Sequence, residues 1–223
     1  LRRLGHDRVS VLDGGWDAWQ AAGLQTETDV RHYPATTYLA QILPGGMVDR
    51  DELRSNLGEV LLLDARAPER YQGIIEPVDP IAGHIPTALN AFHGGNVTGD
   101  GTFKAPHELR ARFAELGAGE GTTVVTYCGS GVTCCHNILA MHLAGLPEPL
   151  LYPGSWSDWS TASYPVSIGE EPGEAPGQCR PVLMSSTQSR ATIRPSCSGS
   201  STECAQHETG TTWLISPPAV AKL

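Results

Sequence analysis

The stretch from Thr123 to Gly145, TVVTYCGSGVTCCHNILAMHLAG, restricts the possible folds more than any other part of the chain. Val124, Val125 and Tyr127 form a β-branched and aromatic run suited to a buried parallel strand. Ile138 to Leu143 has helical character, and Gly145 is placed to end that helix. Between strand and helix stands Cys128, followed by Gly129, Ser130, Gly131, Val132 and Thr133. A loop this short with two glycines can curl its N–H groups inward, beside a helix N-terminus, and so cradle an anion. Such surroundings lower a thiol pKa from about 8.5 into a range of roughly 3.5 to 7.5, which makes a nucleophile. A strand-end cysteine before an ordinary glycine turn is the plainer alternative. The order strand, cysteine, glycine-rich loop, helix favours the reactive site.

CGSGVTCCHN resembles the active-site loop of rhodanese-type sulfurtransferases, of the mercaptopyruvate subtype. The resemblance implies that Cys128 takes a sulfane sulfur as a persulfide and hands it to a thiol or cyanide acceptor, thioredoxin or a low-molecular-weight thiol among them. It implies a rhodanese-like α/β fold, a parallel sheet flanked by helices, and no cofactor. Cysteine phosphatases also hold a cysteine in an anion-binding loop, but they place an arginine six residues after it, where this chain has Cys134. Without that bidentate cation a phosphoryl transition state loses its main support, so phosphatase chemistry is disfavoured. The thiosulfate-preferring relatives carry cations directly after the cysteine. The neutral Gly129 and Ser130 fit a mercapto keto acid with one carboxylate better, with thiosulfate as the second donor.

A net charge of −9 argues against nucleic acid, which requires a basic face. No apolar run reaches the length of a membrane span, and LRRLGHDRVSV lacks the apolar core of a signal peptide, so the expectation is a soluble cytoplasmic protein without a membrane partner. Six irregularly spaced cysteines in 223 residues do not read as a disulfide framework.

Near the start, Val9 to Leu12 reads as a strand, Asp13-Gly14-Gly15 as a turn, and Trp16 to Ala22 as a short helix closing at Gly23. Gly14, Trp16 and Trp19 recur 140 residues later as Gly154, Trp156 and Trp159, which indicates an internal duplication. The resemblance implies tandem domains that each end in Gly-x-Trp-x-x-Trp. Residues 1–28 are then the C-terminal remnant of a first domain, 29–46 a connector, 47–165 a complete catalytic domain, and 166–223 a low-complexity tail. Such a remnant would lack most of the wall that a first domain gives the cleft, so a persulfide carrier without turnover is the alternative function.

Within the complete domain, Asp49 and Glu52 form a capping-box pattern. Val60 to Leu63 reads as a strand ending at Asp64, Ala88 to Phe92 as another, and Pro106 to Leu116 as a helix. Ligands on such sheets bind beyond the strand carboxyl ends, where Asp64 and Cys128 both lie. DARAPERYQG resembles the family's substrate-facing loop, which implies that Arg70 binds the anionic donor, with Asp64 and Arg66 as further candidates. Surface pairing of Arg66 and Arg70 with Asp64 and Glu69 is the alternative. Some relatives have a second arginine where this chain has Asp79, and an acid before the Gly-x-Trp turn where it has Pro153. Ser130 is a candidate to orient the donor, Thr133 to cap the next helix, and His84 to be a structural hydrogen-bonding residue. Cys134, Cys135 and His136 point about 100° apart on a helix and cannot converge on a metal. They read as packing residues, with Cys134 a lesser candidate as a resolving thiol. Cys179, Cys197, Cys204 and the Trp213-Leu214-Ile215 cluster belong to the tail.

Overall fold

Two runs dominated by β-branched and aliphatic residues, Leu61–Asp64 (β1) and Val124–Tyr127 (β3), lie side by side in parallel, Leu61 opposite Val124 and Asp64 opposite Tyr127. The computed structural model describes residues 1–177 apart from Asp7. Leu89–Asn90 (β2) flanks β1 and Leu150–Leu151 (β4) flanks β3, giving the all-parallel order β2-β1-β3-β4. Met47 adds a single parallel bridge to Leu151 at the outer edge.

Parallel neighbours need crossovers, and Pro68–Tyr71 (α3), Pro106–Glu115 (α4) and Cys134–Leu143 (α5) lie in them, while Arg50–Ser55 (α2) precedes β1 and Ser155–Trp159 (α6) follows β4. Gly15–Ala21 (α1) precedes them all. The two-residue period of the strands decides which helix meets which face. Leu62, Val125 and Tyr127 pack with Leu53 and Leu57 around α2, Tyr71 of α3, and Trp156 and Trp159 of α6. Leu63 and Val124 face the other way, onto Leu109 and Phe113 of α4 and Ala140 and Met141 of α5. This is the rhodanese-like α/β architecture expected from the sequence.

Local signals explain several boundaries. Asp49 Oδ1 accepts from the Glu52 N–H at 2.9 Å and Glu52 Oε2 from the Asp49 N–H at 3.0 Å, the reciprocal cap read from the sequence. Gly145 takes φ +66° just past α5, so the Leu146 N–H can reach back to the Met141 carbonyl at 3.0 Å. Other boundaries differ. Helix α5 begins at Cys134, a turn before the expected Ile138, and Thr133 stands at its N-cap position without a side-chain cap bond. Strand β2 is shorter than Ala88 to Phe92, because Thr87 turns at φ +73° and leaves two residues in register. Val9 to Leu12 forms no strand, since no described strand lies beside it to take its hydrogen bonds.

Residues 166–175, placed in the tail by the sequence reading, pack onto the domain. Ser167 and His84 exchange backbone hydrogen bonds at 2.9 Å, the Thr87 N–H donates to the Pro172 carbonyl, and Ala175 is buried. His84 itself is fully enclosed, stacked on Tyr71 with ring centroids 3.8 Å apart, and its two ring nitrogens meet the carbonyls of Tyr71 and Glu171. The tail readings on Cys179, Cys197, Cys204 and Trp213-Leu214-Ile215 lie outside the described residues.

The 140-residue repeat is structural in part: Gly14 and Gly154 differ, φ +74° and −62°, but two features that follow them agree. Gly15 and Ser155 both take left-handed backbone, φ +61° and +55°. The indole N–H of Trp19 donates to the Gln25 carbonyl at 3.1 Å, and that of Trp159 to the Pro165 carbonyl at 2.9 Å, the same six residues ahead. Burial separates the copies: Trp16 is 58% exposed and Trp156 is 0% exposed. Trp156→Ala is therefore expected to cost about 3–5 kcal/mol and Trp16→Ala under about 0.5 kcal/mol, read from urea denaturation midpoints.

Candidate active site

Strand β3 ends at Tyr127 and delivers Cys128 to the carboxyl edge of the sheet, 2% exposed, beside Ala65 and Cys134. The loop that follows divides its polar groups between two sides. Its carbonyls at Cys128 and Gly129 accept from the N–H groups of Trp156 and Ser157, at 3.0 and 2.9 Å, in the first turn of α6. Its N–H groups at Ser130 and Gly131, with the Cys134 N–H at the start of α5, turn to the Cys128 sulfur.

Ser155 locks this arrangement. Its buried hydroxyl accepts from the Cys128 N–H at 3.1 Å and donates to the Tyr152 carbonyl at 2.9 Å. Gly131 is required on two counts: its φ is +78°, and a Cβ there would stand 2.5 Å from the Pro153 carbonyl oxygen.

The S–H of Cys134 donates to the Cys128 sulfur, and this contributes most to the acidity of Cys128. Burial opposes it, but the three backbone N–H groups add to it, and the Cys128 thiol pKa falls to about 5. Cys134 moves the other way, because donating to Cys128, burial and the neighbouring thiolate all favour its protonated form. At neutral pH the pair is one thiolate held by one thiol.

A cleft of about 330 Å³ opens over Cys128. Of the residues expected from sequence, Cys128, Gly129, Ser130, Thr133, Arg66 and Arg70 line it; Gly131 lies beneath, its N–H on the sulfur, and Val132 points to solvent, 72% exposed. Asp64 does not reach the cleft. It is fully buried, and its carboxylate receives the Arg66 Nε–H at 3.0 Å and Nη2–H at 2.6 Å. Arg66 also meets the Gly83 carbonyl and Glu76, and it lies 4.7 Å over the Trp156 ring. Burial works against the Arg66 charge, but Asp64 outweighs it and the pKa is raised. Both residues thus act on the cleft by holding its floor. Arg70 is the more accessible cation, its guanidinium lying against Gly129.

His93 and Ser157 also line the cleft and were not singled out by the sequence. His93 Nδ1 is 3.1 Å from the Ala65 carbonyl, so that nitrogen carries the proton and Nε2 keeps its lone pair when the ring is neutral. Nothing in the sequence around AFHGGN marked His93. Ser155 had a signal, since it occupies the position matched by Gly15 in the repeat. Among the described residues no group of His, Cys, Asp and Glu could hold a metal ion, and no helix is long and apolar enough to cross a membrane.

A cysteine in a cradle of backbone amides, at the carboxyl end of a parallel sheet and beside an arginine, defines an α/β domain built to hold a thiolate. Residues 49–162 match the Rhodanese-like domain, and the chain belongs to that family. It is 44% identical over 168 residues to a probable 3-mercaptopyruvate sulfurtransferase of Pseudomonas aeruginosa, covering 74% of this chain and 59% of that protein. It is 38% identical over 173 residues to a putative thiosulfate sulfurtransferase, SseB, of Mycobacterium tuberculosis, covering 76% and 61%. The chain spans about three fifths of the length of these curated relatives. Among solved structures, an anaerobic ergothioneine biosynthesis enzyme from Chlorobium limicola, in complex with trimethyl histidine, superposes with a TM-score of 0.68 at 26% identity. That match covers 75% of this chain and 43% of the enzyme.

Alkylation of Cys128 by iodoacetamide is expected to be full above a transition near pH 5 and to fall about tenfold per pH unit below it, as the thiolate is protonated. Cys134→Ala removes the S–H donor, so the transition should move up by roughly one to two pH units. Peptide mass spectrometry across a pH series reads both.

Proposed function

We propose that this chain is a sulfurtransferase that carries sulfur as a persulfide on Cys128, with mercaptopyruvate or thiosulfate as donor and a thiol or cyanide as acceptor. The supporting observation is the Cys128 thiolate, whose pKa of about 5 is set by Cys134 and three backbone N–H groups. The names of the relatives point to the same chemistry and to the same two donors.

With mercaptopyruvate, the Cys128 thiolate attacks the donor sulfur and forms the S–S bond as the C–S bond breaks. The electron pair leaves on the pyruvate enolate, which then takes a proton. The amide cradle stabilises the persulfide anion as it did the thiolate, so its geometry need not reorganise between the half-reactions. An acceptor thiolate then attacks the outer sulfur and returns Cys128 to its starting state. Arg70 is the cation at hand for the donor, Ser130 and Thr133 offer hydroxyls along the cleft wall, and Asp64 and Arg66 position the arginine loop.

Residues 1–28 are read as the closing segment of a preceding domain of the same family. The matched left-handed residues and indole hydrogen bonds of the two copies support that reading, as does the exposed face of Trp16.

Sulfur release from mercaptopyruvate and from thiosulfate, compared with the Cys128→Ser variant, tests the activity. Turnover that vanishes in the variant, by about 10³-fold or more, is the expected result. A persulfide on Cys128 without turnover would instead mark a sulfur carrier, and no persulfide with either donor would sink the proposal.

A further inference from the structure

Loop 73–83, between α3 and β2, folds an acidic knot onto the arginine that faces the cleft. Glu76 is at its centre, with a side chain 3% exposed. Its Oε1 accepts from Arg70 Nη2 at 2.6 Å and from the N–H groups of Val78 and Asp79, at 3.1 and 3.2 Å. Its Oε2 meets Arg70 Nε and Arg66 Nη1, each at 3.3 Å. Burial alone would push the Glu76 carboxyl up, but Arg70 and the two loop N–H groups overcome it and hold it below the usual carboxylate range. Asp79, its side chain 6% exposed, adds a second carboxylate on Arg70 Nη2 at 3.2 Å.

Two guanidiniums therefore face three carboxylates, Asp64, Glu76 and Asp79, and this network carries a net charge of −1. Arg70 Nη1, on the side facing Gly129, has no partner among the described residues. One edge of one guanidinium is enough for a single carboxylate. Arg66, the other guanidinium on the cleft, is already held by Asp64, Glu76 and the Gly83 carbonyl, so the second negative charge of a dianion would meet a network that is net negative.

We propose that Asp79 is a specificity-determining residue, which makes the cleft favour sulfur donors bearing one carboxylate, such as a mercapto keto acid, over dianionic donors such as thiosulfate. The choice of donor class rests on the sulfurtransferase reading; the charge selection at Cys128 does not. Glu76 builds the knot, whereas Asp79 touches only Arg70 among the side chains and can be changed while Glu76 keeps its donors. The effect of removing its charge scales with the charge of the approaching reagent. For an assumed separation of about 8 Å and an assumed effective dielectric of about 40, it is on the order of fivefold for a monoanion, and on the order of 25-fold for a dianion.

The test compares iodoacetamide, which is neutral, with iodoacetate, a monoanion of similar size, at pH 8, with modification read at Cys128 by peptide mass spectrometry. Asp79→Asn should raise the iodoacetate to iodoacetamide rate ratio on the order of fivefold. In the unsubstituted chain the same ratio should rise with added salt, because a negative field is being screened. With donors, Asp79→Asn should raise kcat/KM for thiosulfate more than for mercaptopyruvate. An unchanged rate ratio in the variant, or a ratio that falls with salt in the unsubstituted chain, overturns the proposal. Alkylation needs no sulfur transfer, so failure of both donors to form a persulfide would count against the proposed activity while the rate ratio still decides the role of Asp79.

Discussion

The hydrogen bonds from the Trp156 and Ser157 N–H groups to the carbonyls of Cys128 and Gly129 set the direction of the whole active loop. A peptide unit whose carbonyl is fixed outward has its N–H fixed on the opposite side. With α6 holding the Gly129 carbonyl, the Ser130 N–H of the same peptide unit is left facing the sulfur, the Gly131 and Cys134 N–H groups join it, and the cradle needs no charged residue to exist. That geometry depends in turn on Ser155, held at φ +55° by its bonds to Cys128 and Tyr152. A strained residue of this kind persists only where its surroundings over-determine it. Here they do, since Trp156 and Trp159, which follow it in α6, are fully buried in the core shared with β1 and β3.

The second layer of the site is electrostatic. Asp64 closes β1 in a fully buried position, and an ionised carboxylate there would be costly without Arg66. The guanidinium that neutralises Asp64 also reaches Glu76, and Glu76 reaches Arg70, so one strand-end acid organises a chain of charges running from the core to the cleft. Such a network is stiff at its middle members, because Arg66, Glu76 and Arg70 are each held by more than one neighbour. The Arg66 guanidinium over the Trp156 ring ties this layer to α6, so the charge network and the sulfur cradle share one support.

Much of this was legible in the sequence where the signal is local. The β-branched run before Cys128, the glycines after it, the Asp49–Glu52 cap and the helix opening at Pro106 each follow from short-range rules, and each was found in place. What escaped depends on contacts far apart in sequence. Arg66 and Asp64 were readable as candidate donor contacts, but only the fold shows Gly83 and Glu76 closing around the guanidinium. His93 reaches the cleft through the His93–Asn96 turn after β2, a geometry that no residue pattern announces. The expected strand at Val9 to Leu12 shows the opposite error, since strand propensity without a neighbouring strand has no ladder to join.

The two Gly-x-Trp-x-x-Trp segments separate local from tertiary information within a single chain. Both copies place a residue at φ near +60° ahead of the first tryptophan, and both bond the second indole to a carbonyl six residues on, although one copy is buried and the other is largely exposed. The motif therefore keeps its left-handed residue and its indole bond without a sheet beneath it, although the glycines ahead of them differ, φ +74° at Gly14 and −62° at Gly154. The second copy differs in what its surroundings do with that turn: the left-handed residue is a serine instead of a glycine, and its hydroxyl reaches Cys128. A Cβ at such a φ is unfavourable, so a serine is retained there only if its hydroxyl contributes more than the backbone strain removes. The bond to the Cys128 N–H is that contribution, and it turns a structural turn into the clamp that orients the loop after Cys128.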